Sequence, residues 1–524
     1  MTTSDKAANL PILCVAQIVY ELSESSRDLY SCLFVNRIWC RCAIVYLWKT
    51  PFYWSGSKSK RMLGKFLALL PKKTLDELTG SLGVDIPPQN MHPFFDYLSF
   101  VRTMKMQYCL TAVVRYLGKT ELEECGHLLL LRLCREIVKH CPSLSEIDMT
   151  QLDYDEEYDE ASDTTYDISY SLHEWPHEIW NIFTTERTNF NQLRRFEFGQ
   201  MFRPDILNSA AEKLKKLDFF KIDGSDCTTL ADANRWCDAI SKLICQQEKL
   251  EAVSLSLDFQ SHGISSKPVW QALYAQKNYL KKVKITCLSS FDILALLGHF
   301  TNLCYIKLKC CSLYPPYPLQ LPSNAFSHLH TLKLCDVKIN RYGFNAILGN
   351  LKESLTTLSI RQVCDMDQKY YAETWKACAM NTPKLVSLEV DVYLQNSITF
   401  MQTVLPLWRH LKDLSVFICK IHSSHQDDEI PVRILLALGI NLPLSVKCLK
   451  VGINYQLSLE ILTTFLSNYT ENLEFFTLSI NLYDNTYIDS LLEYTKIDLR
   501  DISFNDKLSF FIEIKNCFQD LKIS

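Results

Sequence analysis

The sequence predicts an α/β protein in two parts: a short N-terminal helical unit, then an irregular solenoid with a curved parallel sheet inside and helices outside. Three observations predict it. A six-residue phrase recurs along most of the chain, helix-like stretches separate its copies, and the first fifty residues carry a purely helical pattern instead. Glycine is scarce, at 14 of 524 residues, which argues against both a turn-rich β architecture and Gly-rich phosphate loops.

The phrase reads apolar, two mostly polar, apolar, polar, apolar. It appears as LSEIDM from Leu144, LRRFEF from Leu193, LKKLDF from Leu214, LEAVSL from Leu250, LKKVKI from Leu280 and LCYIKL from Leu303. It continues as LHTLKL from Leu329, LTTLSI from Leu355, LVSLEV from Leu385, LKDLSV from Leu411, VKCLKV from Val446 and LEFFTL from Leu473. Weaker copies, FDYLSF from Phe95 and LRDISF from Leu499, stand at the two ends. Twelve of the fourteen copies begin with leucine, and the central ones recur at 23, 26, 26, 30 and 26 residues, which lifts the pattern above chance.

Alternation at this period places positions one, four and six on one face of a strand and two, three and five on the other. The stretches Trp270 to Tyr279 and Phe291 to Phe300 read as intervening helices. A strand and a helix every 20 to 30 residues is the pattern of a leucine-rich repeat, in which each unit buries its apolar face only against its neighbours. The copies resemble the long, cysteine-containing type of that family, which favours Asn or Cys at position nine. Cys311, Cys419, Asn454 and Asn481 stand there. The competing fold is an ordinary α/β domain with many parallel strands, which a dozen short strands in one register fit poorly.

The N-terminal part reads differently. Asn9 can cap a first helix with Pro11 in its opening turn, and Ile12, Val15, Ile18, Val19 and Leu22 recur at helical spacing. The polar run Ser23 to Asp28 interrupts. A second helix is expected through Leu29, Leu33, Val35 and Trp39, and a third through Ile44, Leu47 and Trp48, before Pro51 ends the series. Some forty residues of this kind bury little surface alone and call for a partner or a neighbouring domain.

The order Leu10-Pro11, Ile18, Leu22, Leu29, Leu33, Val35-Asn36-Arg37-Ile38-Trp39, Leu47-Trp48 resembles an F-box. The resemblance implies that Leu10, Pro11, Ile18, Leu22, Leu33, Val35 and Trp39 face a Skp-family adaptor, which would tether the chain to a cullin–RING ligase. Leu13 stands where many F-boxes carry an acidic residue. The implied organisation is an F-box at 9–53, a helical linker or cap at 54–90, and a leucine-rich-repeat solenoid at 91–524. The implied function is that of a substrate-recognition adaptor of an SCF-type E3 ubiquitin ligase, not an enzyme. The alternative is a non-catalytic repeat module whose N-terminal helices are only a cap.

Outward residues of the phrases are then the candidates for contact with a protein substrate: Lys215, Lys216, Lys281, Lys282, Lys284, Lys307, Lys333 and Glu389. The preponderance of lysine hints at an acidic or phosphorylated substrate, against the ordinary reading of solvated surface lysines. Two interruptions stand out. DYDEEYDEASD, residues 153–163, holds seven acidic residues in eleven and reads as a solvated insertion. SLYPPYPLQLP, from Ser312 to Pro322, reads as a proline-rich spacer.

Composition narrows the function further. A formal charge of −4 gives no support to nucleic-acid or anionic-membrane binding. No stretch approaches the roughly 20 apolar residues that span a bilayer, and the N-terminal apolar run is a poor signal peptide. The 21 cysteines are scattered, without a C-x-x-C pair, as expected of small buried hydrophobes in a reduced cytoplasmic or nuclear protein. No metal or cofactor is expected. His173 and His177 are four apart, but Pro176 lies between them and no third ligand is evident.

Overall fold

The structure, a computed structural model, describes residues 10–53, 57–82, 94–117, 122–150, 175–186, 190–199, 203–223, 230–256, 266–287, 292–315, 318–361, 368–419, 429–453, 475–480 and 493–498. Asn9, the acidic segment 153–163, His173, Asn454, Asn481 and the phrase at Leu499 lie outside the described residues. The chain divides into two compact units, one of Met1–Leu257 with Gln271–Leu273 and one of Asp258–Trp270 with Tyr274–Ser524.

The first unit opens with three helices: α1 (Ile12–Glu21), α2 (Ser26–Cys32) and α3 (Arg37–Leu47). Pro11 is the N-cap of α1, just outside its first turn, and its carbonyl accepts from the Val15 amide at 3.1 Å. Two helices replace the single one expected between Leu29 and Trp39. Asn36 makes the division: its Oδ1 accepts from the amides of Ile38 (2.9 Å) and Trp39 (3.1 Å), satisfying donors that a helix start otherwise leaves open. Val15, Val19, Leu29, Cys32, Ala43, Ile44 and Leu47 form the small core of this group. Two further helices, Ser57–Ala68 and Lys72–Leu82, follow, and Leu63, Phe66, Leu67 and Leu70 are fully buried.

The strands of the first unit are β1 (Thr103–Lys105), β2 (Glu146–Met149), β3 (Arg195–Phe198), β4 (Phe219–Asp223) and β5 (Ala252–Ser256). They pair in chain order, all parallel. Helices stand between them, and neighbours such as Pro204–Lys213 and Leu230–Cys245 pack on each other. The second unit has β6 (Lys282–Thr286), β7 (Tyr305–Lys309), β8 (Ser312–Leu313), β9 (Thr331–Cys335), β10 (Lys338–Ile339), β11 (Thr357–Arg361), β12 (Ser387–Tyr393), β13 (Asp413–Cys419), β14 (Cys448–Ile453), β15 (Phe475–Ile480) and β16 (Glu493–Asp498). The long strands again pair in chain order and parallel, except that β16 runs antiparallel to β15. The two short strands β8 and β10 pair only with each other. Each unit is thus a repeat array of parallel strands backed by helices, the α/β solenoid expected.

Positions one, four and six of the phrase are buried in copy after copy: Leu280, Val283 and Ile285, then Leu303, Ile306 and Leu308, then Leu355, Leu358 and Ile360. Each strand built on a copy of the phrase begins at position three, and one backbone arrangement sets that start. The carbonyl at position two accepts from two successive amides of the next copy. Arg102 accepts from Ser145 and Glu146, Ser145 from Arg194 and Arg195, Cys304 from His330 and Thr331, and Val386 from Lys412 and Asp413. The cysteine at position nine also does what the repeat pattern asks: Cys311 is buried and its thiol donates to the Lys309 carbonyl at 3.2 Å.

Two phrases sit elsewhere than expected. FDYLSF at Phe95 is not a strand; Tyr97–Phe100 is a short 3-10 turn, and Trp48 packs on the Tyr97 ring at 4.7 Å. The first strand belongs instead to VRTMKM from Val101, with Val101, Met104 and Met106 buried. The LKKLDF copy at Leu214 is displaced by three residues. Leu214 closes the helix Pro204–Lys213, its amide donating to Ala210, and the strand phrase is LDFFKI from Leu217. The buried Gln247 holds both ends of this short link. Its amide nitrogen donates to the Leu214 carbonyl at 2.9 Å and its oxygen accepts from the Leu217 amide at 3.0 Å.

Candidate protein-interaction surfaces

Two surfaces stand out, one in each unit. The first is apolar and belongs to the N-terminal helices. Of eighteen large apolar side chains exposed among the described residues, nine lie between residues 12 and 53: Ile12, Leu13, Ile18, Tyr20, Tyr30, Phe34, Val35, Ile38 and Tyr53. Leu13 is 79% exposed, Phe34 73% and Val35 51%. Among the residues expected to face an adaptor, Pro11, Ile18 and Val35 are exposed, and Leu10, Leu22, Leu33 and Trp39 are half-buried. The Trp39 indole nitrogen is buried without a hydrogen-bond acceptor. Sequence reasoning missed Leu13, Phe34 and Ile38, which periodicity alone assigns to no particular face.

The same helical group also closes the first repeat. The Lys49 carbonyl, just past α3, accepts from the amides of Arg102 and Thr103, both at 3.0 Å. It stands where a preceding copy would supply its position-two carbonyl, so the sheet edge at β1 is met by a partner of the right geometry. An open strand edge is otherwise a site for unwanted pairing.

The second surface is the outward side of the strands in the second unit. Lys284, Lys307 and Lys333 are successive partners on β6, β7 and β9, and the same row continues through Ser359, Glu389, Ser415 and Lys450. Lys282 lies two residues before Lys284, and its Nζ stands 4.7 Å from the centre of the Tyr305 ring. Lys281 precedes β6 and supplies the carbonyl that receives the Cys304 and Tyr305 amides. Lys309, a residue that sequence reasoning passed over, ends β7 at position seven of its phrase and is exposed. Among the described residues, Lys307, Lys309 and Lys333 form no ion pair.

Further along the row the charges are satisfied. Arg361 donates to Asp391 at 2.7 Å and to Glu389 at 2.9 Å, and its guanidinium lies 3.3 Å from the centre of the Phe417 ring. The same ring lies against Gly452, where a Cβ would collide with it. Burial pushes the Glu389 carboxyl up, but hydrogen bonds from Ser359 and Arg361 outweigh it and hold the group below the usual glutamate range. Burial raises the Cys335 thiol, while Lys307, Arg361 and Lys333 pull it back.

Lys215 and Lys216 are not part of any strand row. Both precede β4 because of the three-residue displacement at Leu214. The Lys215 ammonium donates to the Ala211 carbonyl (2.8 Å) and to Gln246 (2.6 Å), which makes it a partner of a helix end. Lys216 is half-buried, and its carbonyl accepts from Arg194.

Among the described residues, no group of three histidine, cysteine or carboxylate side chains is arranged to hold a metal. No described helix is long and apolar enough to cross a membrane. Of the described cysteines only Cys14 and Cys245 are exposed. Burial pushes Cys109 and Cys378 up to about 12, so these thiols behave as small hydrophobes.

The described residues form an α/β repeat protein with an exposed apolar surface on its N-terminal helices and a lysine-rich outward strand face. No family model matches the sequence, and no curated protein matches it. Among solved structures it is similar to one described as the crystal structure of the Rad7 and Elc1 complex in yeast. That likeness has 12% sequence identity and a TM-score of 0.36, over 92% of this chain and 96% of that one.

Proposed function

We propose that this chain is the substrate-recognition subunit of a Skp–cullin–F-box ubiquitin ligase, docking on a Skp-family adaptor through α1 to α3 and presenting a protein substrate on its repeat strands. The observation that carries this reading is the concentration of exposed apolar residues on those three helices. An apolar surface of that kind on a soluble chain calls for a protein partner, and the residues that form it run in the order that resembles an F-box. On this reading the chain supplies proximity, raising the local concentration of substrate near the transfer site, and catalysis belongs to its partners.

A second reading, a repeat module whose N-terminal helices merely seal the array, draws support from the Lys49 carbonyl that completes the β1 edge. The two are compatible in geometry, because sealing uses the chain just after α3 and leaves Leu13, Phe34 and Val35 exposed. They differ in what they require of a partner. The test is co-purification of a Skp-family adaptor with the intact chain, with Pro11→Ala/Trp39→Ala, and with Val35→Asp/Ile38→Asp. The second pair alters exposed side chains and spares the core. Capture by the intact chain and loss by both folded variants supports the adaptor reading. Absence of capture by the intact chain leaves only the sealing role.

A further inference from the structure

We infer that the edge of the second unit where β12, β13 and β14 begin is a docking site for an acidic amphipathic helix of a partner protein. The proposal goes beyond the adaptor reading and does not rest on it. Outside the N-terminal helices, nine large apolar side chains are exposed among the described residues, and four of them, Met380, Leu407, Ile440 and Leu444, fall in three consecutive copies. Each stands where a helix or turn gives way to the next strand. Met380 and Ile440 lie in the last turns of the helices Gln368–Asn381 and Glu429–Asn441, Leu407 ends the 3-10 turn Leu405–Leu407, and Leu444 precedes β14. The helix Leu394–Thr403 packs against both of these helices, so the three copies are neighbours. Leu444 is 84% exposed, Met380 70% and Ile440 69%. The same edge is polar in the preceding copies, which expose Thr301 and Asn302 before β7, Asn324 and His328 before β9, and Glu353 before β11. A single exposed leucine is ordinary, whereas apolar side chains at one edge of adjacent copies make a patch that calls for a partner. Behind it the buried rings of Trp375, Phe400 and Trp408 pack on one another, which gives the patch a rigid backing and lowers the cost of ordering it on binding.

Charge selects the occupant. The three edge segments, residues 380–387, 404–413 and 440–448, carry Lys384, Arg409, Lys412 and Lys447, all exposed, against one acid, Asp413. Lys384 meets Glu353 of the preceding copy at 3.2 Å, and the others border the apolar patch. An apolar patch bordered by cations complements a helix whose apolar stripe is bordered by carboxylates. Spacing favours a helix over an extended segment. Packed helices stand about 8–10 Å apart, close to the rise of about 10.5 Å between helical residues seven apart, whereas same-face residues of an extended chain recur about every 6.6–6.8 Å. A helix of about fifteen residues spans the three copies. Met380 adds an adaptable contact of the kind that helix-binding surfaces use. A second copy of this chain fits less well, because a two-fold axis through the patch sets Arg409 and Lys412 against their own kind. A lipid surface also fits less well, since the four exposed side chains are all aliphatic and membrane interfaces favour Trp and Tyr.

The test is fluorescence anisotropy with the intact chain and a labelled library of helical peptides of about fifteen residues, with leucine fixed at i, i+4, i+7 and i+11 and glutamate or aspartate at the flanking positions. Three comparisons accompany it: the same residues in scrambled order, the leucine stripe flanked by lysine, and vesicles of phosphatidylcholine with phosphatidylserine. The altered side chains are exposed, and circular dichroism is recorded on each variant to show that it folds. Support is binding of the acidic library in preference to the scrambled and lysine peptides, weakened at least about tenfold both by Met380→Asp/Ile440→Asp/Leu444→Asp and by Arg409→Glu/Lys412→Glu. Ser323→Asp/Asn324→Asp, on the polar part of the same edge, should leave that affinity unchanged. Equal binding of the scrambled or lysine peptides, retention of affinity by either edge variant, or no binding at all overturns the proposal. So does vesicle sedimentation that the apolar variant loses while peptides fail to bind, which identifies a lipid surface. A dimer in light scattering that the apolar variant disrupts overturns it in favour of a second copy.

Discussion

The two units build the same strand phrase on the same backbone rungs, yet they treat charge on the outward side of their strands in opposite ways. In the first unit the row at position five runs Lys105, Asp148, Glu197, Lys221, and it is cross-linked by ion pairs. Lys105 meets Asp148 at 3.7 Å, Arg195 meets Glu146 at 3.1 Å and Glu197 at 2.6 Å, and Lys221 reaches Asp223 at 3.2 Å. In the second unit the corresponding row places three lysines side by side before any acid appears. Parallel in-register pairing aligns like positions of successive copies, so the sign of one residue per copy decides whether a face neutralises itself or stays charged. The first face is cross-linked by ion pairs; on the second, Lys307 and Lys333 form no ion pair among the described residues.

The contrast should be confined to the surface. Both units carry a tryptophan-centred core: Trp180 with Phe183, Phe190 and Phe196 in the first, and Trp375 with Phe344, Phe400 and Trp408 in the second. Trp180→Ala and Trp375→Ala are each expected to cost about 4 kcal/mol, read as earlier unfolding transitions in urea. A much smaller loss in either variant would show that the units differ in packing as well as in charge.

A smaller effect, about 2 kcal/mol, is expected for Arg361→Ala, because Asp391 is buried and would keep its charge without that partner. The acid limb of stability sharpens the same point. Glu389 is held below its ordinary value, so the stability it lends is full above the ordinary glutamate range and is lost as pH falls through its lowered folded value. Glu389→Gln should therefore flatten the acid end of a stability-against-pH series and leave neutral pH little changed. An unchanged acid limb would show that Arg361 does not carry this coupling.

The smallest effect tests the comparison most directly. Lys307→Glu turns the second unit's row into one like the first, and should stabilise the chain by about 0.5 kcal/mol at low salt. Glu197→Ala in the first unit should destabilise it by about 1 kcal/mol, since Arg195 and Lys221 lose their shared acceptor. If both substitutions move stability in the same direction, outward charge does not distinguish the units.

Much of this arrangement was legible in the residues. The buried positions one, four and six follow from alternation, and Leu280, Leu303, Leu329, Leu355 and Leu385 each lead their strand by two residues as the phrase requires. The register failed at Leu214 because Leu214, Leu217, Phe219, Phe220 and Ile222 satisfy the phrase twice, three residues apart. What decides is the length of the preceding helix and the side chain of Gln247, thirty residues further on, neither of which is a local property of the phrase. It failed at Phe95 for a similar reason, since Trp48 draws Tyr97 into the joint with the helices. The division of the second and third helices was present in the sequence as Asn36, a strong N-cap residue that the F-box resemblance absorbed into a longer helical span. The sign pattern of the rows needed the register first, because a three-residue displacement moves Lys215 and Lys216 from the sheet face to a helix end.

The contact between Phe417 and Gly452 bears on how this sequence can drift. The two residues are direct partners on β13 and β14, and the ring occupies the volume that any side chain at 452 would need. A larger residue at 452 requires a smaller one at 417, and the loss of the ring removes the platform under Arg361. Among descendants of this chain, positions 417 and 452 should exchange volume in concert, and position 361 should relinquish its arginine wherever the aromatic ring has gone.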